Sequence, residues 1–162
     1  MKPFRATSAG VVAKFDHTDA RLLANLATQV AGLLAERDEH DRDPALTRLL
    51  PDAYRDSDEN AAEFRRFTEE ELADDKIRSA LGMAQLLEPD VGAETTVHVT
   101  LGPPEALDWM RSLTDIRLAI AARLGIVDDT SPISVDDESR YTLAIYNWLG
   151  QLQYSLVKAV DR

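Results

Sequence analysis

Apolar positions along the chain change period several times, and the changes mark the elements. FRAT and GVVAKF alternate as strands do, and the turn signal Ser8-Ala9-Gly10 between them predicts a hairpin over 3–15. The spacing then becomes helical. Leu22, Leu23, Leu26, Val30, Leu33 and Leu34 recur on one face of a helix over 18–37, with Asp16 or Thr18 placed to cap it. After the polar break EHDRD, Pro44 opens a short helix over 44–50 that stops before Pro51. DSDENAAEF reads as a second short helix, 58–67, capped by Ser57 or Asp58. Thr68 and Glu71 then have the S/T-x-x-E form of a capping box, with Phe67 and Leu72 at the spacing of a hydrophobic staple. EFRRFTEEEL is therefore read as a corner that opens a longer helix over 69–87, and its glutamates suit the positive end of the helix dipole.

The Thr- and Val-rich run ending at Leu101 predicts a strand over 95–101. Gly102-Pro103-Pro104 starts a helix over 103–124, and Gly125 ends it. Trp109, Leu113, Ile116, Ile120 and Leu124, widened by Met110 and Leu118, leave that helix only a narrow polar strip, which makes it the central one. A loop at 126–135 leads to a last helix over 136–160, whose buried stripe is Tyr141, Ile145, Trp148, Leu149, Leu152 and Leu156. The expected fold is mainly α (α+β). It is a single-domain bundle over 1–162 of about four long and two short helices, with a small antiparallel sheet from the hairpin and strand 95–101.

Composition narrows the function. A length of 162 residues supports one full core and argues against two domains. A net charge of -11 disfavours nucleic acid as a direct ligand and anionic membranes as a surface, because both need a cationic face. The absence of cysteine removes disulfides, thiolate metal sites and thiol switches, and fits a reducing compartment. No apolar run approaches the ~20 residues of a membrane span or the core of a signal peptide, so a cytoplasmic protein is expected.

Catalytic patterns are missing. His17, His40 and His98 are far apart, and the acidic runs at 36–43 and 128–138 have no calcium-loop spacing, so no metal or cofactor is expected. Arg65 and Arg66 beside Phe64 and Phe67 are read as packing and ion-pairing residues of the corner, not as a nucleic-acid patch. Two cations fall on apolar stripes: Lys76 with Leu72, Met83 and Leu87, and Arg117 among Trp109, Leu113 and Leu124. Arg123 lies at the edge of the same stripe. A cation there must snorkel, meet an acid, or reach a ligand or second subunit. With 29 acidic residues an internal ion pair is the expected outcome; the alternative is a small anionic ligand held by Lys76, Arg117 and Arg123. Tyr146 and Tyr154 lie off the last helix's main stripe, where a homodimer partner would pack.

LLPDAYRDSDENAAEFRRFTEEELADDK, LDWMRSLTDIRLAIAARLGI and YNWLGQLQYSLVKAVD resemble an actinobacterial domain-of-unknown-function family. Its members are typically encoded beside the ClpS protease adaptor and include AosR-type oxidative stress regulators. The positions that carry the resemblance are Lys76, Trp109, Asp115, Arg117, Arg123, Gly125 and Trp148. It implies a non-enzymatic cytoplasmic regulator that acts through a protein partner: a sigma factor, or another component of transcription or proteolysis. Direct DNA binding is the alternative it leaves. Redox sensing in such regulators depends on a close cysteine pair, so thiol sensing does not carry over to a chain with no cysteine.

Overall fold

A computed structural model describes residues 2–38, 43–51, 59–88, 96–128, 130–134 and 136–161, without the side chains of residues 2, 3, 59–62, 64 and 65. His40, the Ser57/Asp58 cap, residue 95 and the side chains of Phe64 and Arg65 thus lie outside the described residues.

The hairpin forms as its turn signal requires. Strand β1 (Lys2–Thr7) pairs antiparallel with β2 (Gly10–Asp16), and β2 pairs antiparallel with β3 (Thr96–Leu101), giving the order β1-β2-β3. Gly10 has φ +126°, and a Cβ there would lie 2.5 Å from the Leu101 carbonyl oxygen, so only glycine lets the turn close against β3. Alternation along β2 and β3 sends Val11, Ala13, Phe15, Val97, Val99 and Leu101 into the core.

Helix α1 (His17–Ala35) is capped by Asp16, whose carboxylate accepts from the Asp19 N–H at 2.8 Å. The short α2 (Pro44–Leu49) has Asp43 as its cap and proline in its first turn. Helix α4 (Pro103–Leu124) ends at Gly125 in the left-handed conformation, φ 73°. It is central, in contact with α1, α2, α3, α5 and β3. Trp109 anchors the sheet to it: Phe4 stands edge-on to the indole at 5.9 Å and Phe15 tilts against it at 6.3 Å. Helix α5 (Asp137–Val160) starts at Asp136, which accepts from the Ser139 N–H at 2.8 Å, and it buries Leu149, Leu152, Leu156 and Ala159.

Two expectations fail. The corner at EFRRFTEEEL does not form, because one helix, α3, runs through it from Glu59 to Leu86. Thr68 and Glu71 are interior to that helix, and Phe67 (63% exposed) and Leu72 (42% exposed) are not stapled. No proline or glycine interrupts residues 59–81, and the S/T-x-x-E string suits a helix interior as well as a start. The two helices expected over 58–67 and 69–87 are therefore one, and among the described residues five helices stand where six were expected. Leu72 accordingly leaves the stripe on which Lys76 was placed; Ala73, Ala80, Met83 and Leu87 make the buried face. Tyr141 is also 65% exposed, because the buried part of α5 starts further along, at the half-buried Ile145.

Candidate functional site

Both stripe cations lead to α4, on opposite sides of it. Lys76 projects from α3, and its Nζ lies 2.6 Å from Oδ1 of Asp115, a residue only 3% exposed. Burial pushes the Asp115 carboxyl above its usual range, while the hydrogen bond and charge of Lys76 pull it back. The pair joins two helices through chain positions 39 residues apart.

Arg117 faces α5. Its guanidinium lies over the Tyr146 ring, 4.5 Å from the centroid, and its Nη1 donates to the Gln153 side-chain oxygen at 3.3 Å. The Gln153 amide nitrogen donates in turn to the Met110 carbonyl at 3.1 Å and to Thr114 Oγ1 at 2.6 Å. Gly150 gives the guanidinium its room: a Cβ at that position would sit 3.1 Å from Nη2. Arg117 Nε is buried without a hydrogen-bond partner, and among the described residues no carboxylate pairs with this arginine.

These placements decide what the cations can do together. Residues 115 and 117 point to different neighbours, so Lys76 and Arg117 do not converge and do not form one anion site. Arg123 is exposed on the rim of a narrow groove of about 20 Å³ between α1 and α4, floored by Val30, Ile116 and Ile120. Tyr146 is half-buried under Arg117, inside the chain. Tyr154 is 63% exposed, with Lys158 Nζ 5.0 Å from its ring centroid. Trp109 is buried, and Trp148 is packed half-buried against the core.

Within the acidic run at 128–138, Asp128 serves a turn and Asp136 a helix cap. Asp128 accepts from the Thr130 N–H at 2.8 Å, and Asp136 accepts from Ser134 and Ser139; these hydrogen bonds hold both carboxyls below their ordinary range. Among the described residues no group of three or more His, Cys, Asp or Glu could hold a metal ion. Also among them, no helix is long and apolar enough to cross a membrane.

Residues 1–160 match the family described as Domain of unknown function (DUF2017). The chain belongs to this family. It is 32% identical over 178 residues to the oxidative stress regulator AosR of Mycobacterium tuberculosis (strain ATCC 25618 / H37Rv), covering 86% of this chain and 77% of the relative. The AosR of Mycobacterium bovis is similar to the same extent. A putative oxidative stress regulator AosR of Mycobacterium leprae is 31% identical over 151 residues, covering 81% of this chain and 64% of that protein. No solved structure matches. Within the DUF2017 fold seen here, Asp115 and Arg117 hold α4 to α3 and to α5 respectively.

Sequence reasoning located the cations but missed three residues that complete their settings: Asp115 as the partner of Lys76, and Gly150 and Gln153 beside Arg117. A glycine inside a strongly helical run was the available signal, since it costs stability unless something packs on it.

Proposed function

We propose that this chain is a non-enzymatic regulatory protein that works in the cytoplasm through protein–protein contacts. Its partner is a component of transcription, such as a sigma factor, or of proteolysis. The observation that carries this reading is the similarity to oxidative stress regulators over most of both chains. Exposed large apolar side chains on two helices support it: Phe67 and Leu81 on α3, and Tyr141, Tyr154 and Val157 on α5. Side chains of this kind are the anchors of protein interfaces. With no cysteine in the sequence, any signal reaches this chain by a route other than its own thiols. A homodimer packed on the α5 surface around Tyr154 would be the competing occupant of the same surface.

Affinity capture with the tagged chain from lysate of the native host, followed by mass spectrometry, tests the reading. It predicts enrichment of a transcription or proteolysis component over a tag-only control, reduced by Tyr154→Glu. Recovery of neither class refutes it. Light scattering on the purified chain tests the dimer.

A further inference from the structure

The charge of this protein is unevenly placed. Residues 1–15 contain Lys2, Arg5 and Lys14 and no acid, although the whole chain carries -11. Arg5 is exposed, and Lys14 is half-buried between the core residues Ala13 and Phe15, on the face of β2 turned away from the core. Lys14 is the Cα partner of both Lys2 and His98, and Arg5 is that of Val12.

The same patch continues around the β1 edge into a cleft. Between β1 and the end of α5 lies an open cavity of about 330 Å³, floored by Phe4, Ala6 and Ala159. Its rim carries the exposed Arg5 and Lys158, and Lys158 holds its ammonium over the Tyr154 ring. The Phe4 N–H donates to Ser155 Oγ at 2.7 Å, which ties the strand edge to the helix and keeps the cleft walls in place. Neither rim cation has a carboxylate partner among the described residues.

We propose that this β1–α5 cleft is the docking site for an acidic segment of a partner protein. An apolar or aromatic side chain of that segment would enter between Phe4 and Tyr154, and its flanking carboxylates would meet Arg5 and Lys158. The cleft is at the small end of ligand pockets, roughly 300–1,000 Å³, and is open along the surface, which suits one side chain of a bound segment better than an enclosed metabolite. The field of the remaining chain is strongly acidic, so a short acidic segment that covers only this patch is favoured over a duplex, whose phosphates extend past it. The inference rests on the protein-contact reading and deepens it by naming the surface and the chemistry of the partner.

Titration of the ¹⁵N-labelled full chain with acetyl-Glu-Phe-Glu-amide tests it. Saturable amide shifts at Arg5, Ala6 and Tyr154–Ala159 are expected, with binding weakened about tenfold or more for acetyl-Lys-Phe-Lys-amide and for the Arg5→Glu/Lys158→Glu variant. The milder Arg5→Gln/Lys158→Gln pair, with an unchanged thermal melt, separates lost binding from lost folding. Shifts that are absent, that fall elsewhere, or that do not depend on probe charge overturn the proposal. So does a random-sequence DNA duplex that moves the same amides more strongly at equal salt. If the peptide fails while wild-type chain still captures a partner, the cleft assignment alone falls; if no partner is captured, the broader reading falls.

Discussion

Replacing Lys76 by Met removes the counter-charge of a carboxylate that has almost no access to water. At pH 7 Asp115 then has two options: to stay ionised in a buried site, or to take up a proton. Breaking a buried pair from one side costs roughly 3–5 kcal/mol. Protonation sets a ceiling near that value: neutralising a carboxyl of ordinary pKa 3.8 at pH 7 costs about 4 kcal/mol. Lys76→Met should therefore lose about 3–4 kcal/mol at pH 7. The converse change should be milder. Asp115→Asn leaves the ammonium beside a neutral amide, but the Lys76 side chain is 19% exposed against 5% for Asp115, so it can turn to water at a cost of about 1–2 kcal/mol.

The pH dependence gives the sharper check. Burial raises the folded-state pKa of Asp115, so this group contributes stability that is fully present below its unfolded value and is lost as pH rises through the folded one. Without Lys76 the folded value rises further. The deficit of Lys76→Met should then shrink by up to about 1.4 kcal/mol per pH unit on acidification, and nearly vanish near pH 4. Urea melts of wild type, both single variants and the double variant between pH 4 and 8 would measure it, because the other titrating groups cancel in the differences. A deficit independent of pH, or Asp115→Asn costing more than Lys76→Met, refutes the reasoning.

The remaining predictions concern backbone and packing. Gly150→Ala should gain about 1 kcal/mol of helix propensity in an Arg117→Ala background. It should gain almost nothing in wild type, where the new methyl displaces the guanidinium from Tyr146 and Gln153; equal gains in both melts would refute that packing. Gly10→Ala should cost about 2–3 kcal/mol and reduce hydrogen-exchange protection in β3, since strain at φ +126° adds to the clash with Leu101. Glu70→Pro distinguishes a continuous α3 from a corner at Thr68: inside a helix it should cost about 3 kcal/mol or more, whereas in a first turn it would be tolerated.

Most elements were legible because period, cap and breaker agreed. Asp16 capping α1, Pro44 starting α2 and Gly125 ending α4 each had a local chemical reason visible in a few residues. EFRRFTEEEL misled because its signal was local only: a capping box and a staple were both present as strings, and nothing in the string says whether the preceding turn is already helical. The functional residues divide the same way. That Lys76 and Arg117 needed partners followed from their place among apolar neighbours. Which partners they found did not, because Asp115 lies 39 residues from one and Gln153 lies 36 from the other, and a single sequence carries no record of that proximity. The β1–α5 cleft joins chain positions 151 residues apart, and residues 1–15, with three cations and no acid, mark only its β1 side.

Helix α3 is held to the rest of the chain by anchors of two kinds. From Ala73 onward it buries Ala73, Ala80 and Met83, with Leu87 just past its end, so that half can unwind only if the core opens. About one turn before Ala73, Glu69 meets Arg37, just past α1, at 3.1 Å. Salt that screens this ion pair loosens the link between α3 and the end of α1 without touching the apolar face, whereas opening the apolar face releases the helix from the core itself.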